Sequence, residues 1–268
     1  VILFPNCKIN IGLNVLAKRA DGFHDIQSVF YPLPLKDILE SVPASKFGMQ
    51  LTGIPLTGSL SENLCFKAYH QLKKRFPGIP AVDIYLHKNI PIGAGLGGGS
   101  SDAAFLLMLL NRQFDLGLTN HELLQEAMNL GSDCPFFIVN RPCLAQGRGE
   151  LLDPVEIDLS GYRFMLVHPH IQLSTAEAFA SIVPSRPALQ IKEIITRPVA
   201  SWPGRLVNDF EEVAMRKHPL LQSVKKKLYE AGALYVSMTG SGSSFFGIFE
   251  KDSRPSISFE QDLRVDII

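Results

Sequence analysis

The chain has 268 residues, 46 % of them apolar and 19 % charged, with 26 Lys+Arg against 26 Asp+Glu; it can bury a sizeable core, and the balance excludes a disordered chain and a protein that coats nucleic acid through excess positive charge. Cys7, Cys65, Cys134 and Cys143 lie far apart without a CxxC pair, which argues against a zinc knuckle and a disulfide framework and fits a reducing compartment. No apolar run approaches the roughly 18 residues of a membrane span and Val1-Ile-Leu-Phe-Pro5 is too short for a signal sequence, so a cytoplasmic protein without a membrane partner is expected.

From Cys7 to Leu16, Lys8, Asn10 and Gly12 alternate with Ile9, Ile11 and Leu13, the period of a half-buried strand with Lys8 and Asn10 on one face. Asp21-Gly22-Phe23-His24 reads as a turn into a second strand over Ile26 to Leu35. Leu64, Ala68 and Leu72 recur at helical spacing from Glu62 to Arg75 behind Ser61 as N-cap, and Ala81 to His87 returns to a strand. After a glycine-rich loop, Ser100 or Ser101 caps a helix to about Leu110, Thr119 opens another to Leu130, and Gly131 stops it. Phe136 to Val139 and Arg163 to Val167 read as buried strands, with a domain boundary near residue 155 that divides 1–155 from 156–268. Helices over Thr175 to Ile182, Leu206 to Arg216 and Pro219 to Ala231 follow, and strands over Leu234 to Met238 and Phe245 to Glu250 flank a second glycine-serine loop. The pattern is α+β, antiparallel sheet with helices to one side.

Pro91-Ile-Gly-Ala-Gly-Leu-Gly-Gly-Gly-Ser-Ser-Asp-Ala-Ala104 sets glycines 93, 95, 97, 98 and 99 directly before a helix. Backbone N–H groups can converge there on an anion, and the helix N-terminus adds unpaired donors and a positive dipole end. Gly93-x-Gly95-x-x-Gly98 satisfies the dinucleotide fingerprint literally, yet the preceding strand ends near His87 and the helix leads to another helix. A Walker-type loop ends in Gly-Lys-Ser/Thr, which is missing, so any cation comes from elsewhere in the chain. A flexible linker would not run into an apolar helix. Phosphate binding is the favoured reading.

This loop, together with Met238-Thr-Gly-Ser-Gly-Ser-Ser-Phe-Phe-Gly-Ile-Phe249, resembles the second and third signatures of the galactokinase, homoserine kinase, mevalonate kinase and phosphomevalonate kinase (GHMP) superfamily. Phe4-Pro-Asn-Cys-Lys-Ile-Asn-Ile-Gly-Leu-Asn-Val-Leu16, Lys18-Arg-Ala-Asp-Gly-Phe-His24 and Leu130-Gly-Ser-Asp-Cys-Pro-Phe-Phe137 resemble motifs of the branch that acts on 4-diphosphocytidyl-2-C-methyl-D-erythritol. The resemblance implies a two-domain fold, an N-terminal domain like ribosomal protein S5 domain 2 and a ferredoxin-like C-terminal domain. It implies ATP-dependent phosphorylation of that compound's 2-hydroxyl in non-mevalonate isoprenoid synthesis, with ATP and Mg2+, a small-molecule substrate carrying cytidine diphosphate, and a monomer or homodimer. Another alcohol kinase of the superfamily, of homoserine or mevalonate type, and a nucleotide-binding regulator without catalysis are the alternatives. Asp-Gly-Phe-His points to the cytidyl substrate, and Lys8 with Asp133 speaks against the regulator.

By the resemblance Asp133 is the catalytic base, a carboxylate that orients the attacking hydroxyl and accepts its proton; read alone it is equally an N-cap between Gly131 and Pro135. Lys8 is the missing cation, keeping Asp133 ionised and offsetting phosphoryl charge; read alone it is a solvent-side strand lysine. Asn10 offers an amide to the methylerythritol hydroxyls, or is ordinary strand polarity. The resemblance implies that His24 hydrogen-bonds cytosine while Phe23, where the family usually has Tyr, stacks on it, a contact worth roughly 1–3 kcal/mol. Phe179 matches the second aromatic of that sandwich and Thr175 a nearby polar contact, although Phe179 also suits a helix core. The resemblance implies an ATP-binding set of Pro91, Gly93, Gly95, Leu96, Gly97, Gly98, Gly99, Ser100 and Ser101, with Lys88 and Asn63 near the adenosine. Thr239, Gly240, Ser241 and Gly242 close the phosphate site, or form a plain hairpin turn. No acidic cluster announces Mg2+ ligands, so the metal site is unassigned and Ser101 is only a superfamily analogy. Cys7 and Cys134 stand where the family commonly has small or aliphatic residues and read as packing thiols. Lys251 to Ile268 looks short, with Pro255 and Ser256 in place of a long final helix.

Overall fold

The computed structural model describes residues 1–56, 58–185, 187, 189–259 and 262–268. In chain order come β1 (Ile2–Leu3), β2 (Asn6–Lys18), β3 (His24–Lys36), β4 (Ile38–Ala44), β5 (Gly48–Gly53), α1 (Leu64–Arg75), β6 (Ala81–Lys88), α2 (Gly98–Gln113), α3 (Asn120–Leu130), α4 (Cys134–Val139), β7 (Cys143–Gly147) and β8 (Leu151–Pro154). They are followed by β9 (Tyr162–His168), α5 (Thr175–Ala180), α6 (Ile191–Ile194), α7 (Asp209–Lys217), α8 (Pro219–Glu230), β10 (Tyr235–Met238), β11 (Phe245–Glu250) and β12 (Arg264–Ile267). The chain forms two compact units, one of residues 1–8, 32–92 and 97–141 and one of residues 9–31, 93–96 and 142–268. Residues 9–31, 93–96 and 142–155 group with 156–268 in this division.

In the first unit the sheet runs β1-β4-β6-β5. β5 and β6 are parallel, which needs a crossover, and α1 supplies it. Leu39, Ile84 and Leu86 from the sheet meet Leu72 of α1, Leu106 and Leu110 of α2 and Ala127 of α3 in one buried cluster. Thr119 caps α3 through a capping box with Glu122, and Gly131 ends it, as the sequence predicts. Three local expectations change. Ser61 lies in a one-turn 3-10 helix, and Asn63 caps α1 by accepting from Cys65 N–H at 2.8 Å. α2 starts ahead of both serines, with Gly97 as its N-cap. Phe136 to Val139 is part of helix α4, not a strand; a short apolar run carries no distinguishing period, and Pro135 presets the helical φ.

In the second unit the sheet order is β10-β11-β9-β12, with every neighbouring pair antiparallel. Numbered within this sheet the order is 2-3-1-4, that of a ferredoxin-like domain. Val224 and Leu228 of α8 and Phe210 of α7 bury Met165, Val167, Val236, Phe245 and Phe249. No helix lies between β11 and β12 among the described residues, in keeping with Pro255 and Ser256 there. The β2–β3 hairpin extends through β7 and β8 into a further sheet.

Candidate active site

In the first unit, Lys8 projects from β2 and is only 3 % exposed, and its Nζ lies 3.5 Å from Oδ2 of Asp133, whose side chain is one-third exposed at 33 %. Asp133 occupies the N-cap position of α4, yet its side chain makes no capping hydrogen bond. The carboxylate therefore faces a lysine far away in sequence and is accessible on its other side.

The start of α2 lies against the same lysine. Gly97 has φ +71°, and a Cβ placed there would meet the Phe137 ring at 2.9 Å and Lys8 Cε at 3.3 Å. Only a residue without a side chain lets the backbone come this close. Gly97 provides no side-chain cap, so the first N–H groups of α2 keep their outward donors. Gly99 has open space where a Cβ would stand. The glycine-lined start of α2 thus lies beside the Lys8 ammonium and the Asp133 carboxylate. Ser101 is fully buried and its hydroxyl has no hydrogen-bond partner among the described residues.

Behind the start of α2 lies a second charge cluster. Lys88 ion-pairs with Asp37 and, at 2.6 Å, with Asp102; all three are buried. Asp37 also accepts the backbone N–H groups of Asn89 and Ile90. Burial pushes the Asp102 carboxyl up to about 8, against the pull of Lys88. Lys88 thus points at Asp37 and Asp102, and Asn63 accepts from the α1 backbone. Burial pushes the Cys134 thiol up to about 12, so it stays protonated and is no nucleophile.

The second unit holds the second glycine-serine loop, residues 239–242, and the aromatic residues. Asn10 accepts from Gly240 N–H at 2.9 Å and donates to Ser28 Oγ at 2.9 Å, while Thr239 Oγ1 donates to the Gly95 carbonyl at 3.0 Å. A Cβ on Gly95, at φ +77°, would fall 2.0 Å from the Thr239 carbonyl, so residues 93–96 and the 239–242 loop are in backbone contact. Asn208 adds two bonds of 2.8 Å to the Met238 and Gly240 carbonyls. Asn10, expected on the substrate, is 1 % exposed and works here as a loop support. His24 stacks on Phe179 at 4.8 Å, and Phe179 stands edge-on to Phe210 at 4.8 Å. Thr175, one turn before Phe179 on α5, meets Ser241 at 2.8 Å between hydroxyls. Phe23 is 53 % exposed.

Sequence reasoning assigns nothing to Asp37, Asp102, Asn208 or Arg148. Asp102 had a signal, since it stands within Ser-Ser-Asp-Ala-Ala at the start of a buried helix. Asn208 had the weaker one of an N-cap residue before Asp209.

The model of the GHMP kinases N terminal domain matches residues 63–141, and that of the GHMP kinases C terminal matches residues 191–258. A homoserine kinase from Cytophaga hutchinsonii shares the fold, with a TM-score of 0.62 at 19 % identity over 98 % of this chain and 94 % of that one. The 4-diphosphocytidyl-2-C-methyl-D-erythritol kinase of Bacteroides fragilis is 47 % identical over 95 % of this chain and 94 % of its own. The kinase of the same name from Azobacteroides pseudotrichonymphae is 50 % identical over 97 % of both chains. A crystal structure of 4-(cytidine 5'-diphospho)-2C-methyl-D-erythritol kinase has a TM-score of 0.80 at 31 % identity, covering 92 % of this chain and 90 % of that one. The chain belongs to the 4-diphosphocytidyl-2-C-methyl-D-erythritol kinase family.

Proposed function

We propose that this kinase transfers the γ-phosphoryl group of ATP to the 2-hydroxyl of 4-diphosphocytidyl-2-C-methyl-D-erythritol, a step of non-mevalonate isoprenoid synthesis. The observation that carries the reading is the Lys8–Asp133 pair beside the uncapped start of α2. Asp133 orients the 2-hydroxyl and accepts its proton as the new O–P bond forms and the bond from the γ-phosphorus to the ADP oxygen breaks. Lys8, set against Gly97 and 3.5 Å from that carboxylate, offsets charge on the transferred group. The N–H groups at Gly98, Gly99 and Ser100 hold phosphate oxygens.

Mg2+ supplies charge neutralisation of the triphosphate when bound. No group of three His, Cys, Asp or Glu side chains converges among the described residues, so we assign it no ligands from this chain and derive no step through it. In the second unit His24, Phe179 and Thr175 serve the cytidine end, with Phe23 as a stacking face, and the 239–242 loop serves phosphate. Lys88 acts behind the loop through Asp102 and not on the nucleotide. No helix among the described residues is long and apolar enough to cross a membrane, and we place the enzyme in a reducing, cytoplasmic compartment that suits its four buried thiols.

The test is ADP release by the purified protein with Mg2+ and ATP, offered the cytidyl compound, homoserine, mevalonate or galactose. Turnover is expected with the cytidyl compound and little with the others. Turnover of another alcohol with none of the cytidyl compound, or no alcohol-dependent ADP release at all, overturns the proposal.

A further inference from the structure

We propose that Arg148 is a positioning residue for the cytidine end of the substrate, holding the Phe23 ring as a stacking face. The inference rests on the cytidyl reading above. β3 pairs with β7 so that Ile26 lies opposite Gly147, which brings the turn after β7 beside the turn that precedes β3. There the Arg148 guanidinium carbon stands 4.9 Å from the centre of the Phe23 ring. Glu150 fixes the arginine's own turn, its carboxylate accepting the Arg148 N–H and its Oε1 lying 3.6 Å from Arg148 Nε. The neighbouring Arg19 is engaged by Asp21 and Asp25, so Arg148 is the cation over the ring. A phenylalanine left 53 % exposed at a hairpin tip explores several rotamers unless a neighbour holds it. A guanidinium over one face restrains the ring and leaves the opposite face for a base.

The experiment measures kcat and KM for the cytidyl substrate and for ATP in the wild type, Arg148→Ala, Arg148→Lys, Phe23→Leu and the Arg148→Ala/Phe23→Leu double variant. Arg148→Ala is expected to raise KM for the cytidyl substrate about twofold to fivefold, the size of an exposed guanidinium–ring contact, with KM for ATP unchanged. Arg148→Lys recovers part of the loss. In the Phe23→Leu background the arginine change adds nothing, because it acts through the ring. An unchanged KM in Arg148→Ala, or an equal fold increase in the Phe23→Leu background, overturns the proposal. A wild type that turns over another alcohol and not the cytidyl compound overturns the function reading, and this inference with it.

Discussion

Gly97→Ala perturbs the contact on which the site is built. At φ +71° an alanine pays the left-handed penalty of about 1–2 kcal/mol. Its Cβ would also stand 2.9 Å from the Phe137 ring and 3.3 Å from Lys8 Cε. The ring is fully buried, so it gives way only at an overpacking cost of about 1–3 kcal/mol. The sum, about 2–5 kcal/mol, corresponds to a Tm lower by roughly 4–9 °C for a chain of this size. Lys8 must also shift by a few tenths of an ångström, which misaligns the ammonium that serves Asp133, so kcat in the folded fraction falls about tenfold or more. Thermal melts and saturating kinetics on the same preparation read both effects. Gly99→Ala is the stability control: its Cβ meets nothing within 4 Å, and the substitution inside a helix is neutral to stabilising. A Gly97→Ala protein with wild-type Tm and kcat would refute the close approach of α2 to Lys8.

Lys88→Met leaves Asp37 and Asp102 buried without their cation and is expected to destabilise by about 3–5 kcal/mol; urea unfolding unchanged from wild type contradicts the buried cluster. Asn63→Ala removes the α1 cap for about 1 kcal/mol, and Asn63→Asp keeps it; a rise in KM for ATP at unchanged stability would instead make Asn63 a nucleotide contact. His168 is held down at about 4 from 6.5, chiefly by burial and then by His170. The unfolded chain therefore takes up the proton first, so stability is full above about pH 6.5 and is lost as the pH falls towards 4. Fully expressed the effect reaches about 3 kcal/mol, and partial solvent access reduces it to about 2. Urea titrations at pH 4.5 and 7 should show this difference shrinking in His168→Gln, and an identical difference in that variant sinks the assignment.

The β2–β3 hairpin and helix α3 are legible in the sequence because strand alternation, an Asp-Gly turn and a Thr-x-x-Glu cap are local signals. α4 is not, since its six residues are apolar throughout and its helical state is set by Pro135 and by burial. The start of α2 is not legible from its serines, since what fixes it is Gly97 in the left-handed region. Lys8 and Asp133 meet as the resemblance implies, but residues 8 and 133 share no local pattern and their approach follows from tertiary packing alone. The buried setting of Lys88 and Asn10 is equally invisible locally: a polar residue in an alternating strand faces water until a loop from elsewhere, such as 239–242, covers it. β2 and β3 each contribute residues to both compact units, which no local pattern announces.

The most direct test is the kinetics of Asp133→Asn, read together with its binding of ATP by calorimetry. The substitution keeps shape and removes the proton acceptor, so kcat should fall by about 10²–10⁴ while the Kd for ATP stays close to the wild-type value. An Asp133→Asn enzyme that turns over the cytidyl substrate at the wild-type rate would contradict the account.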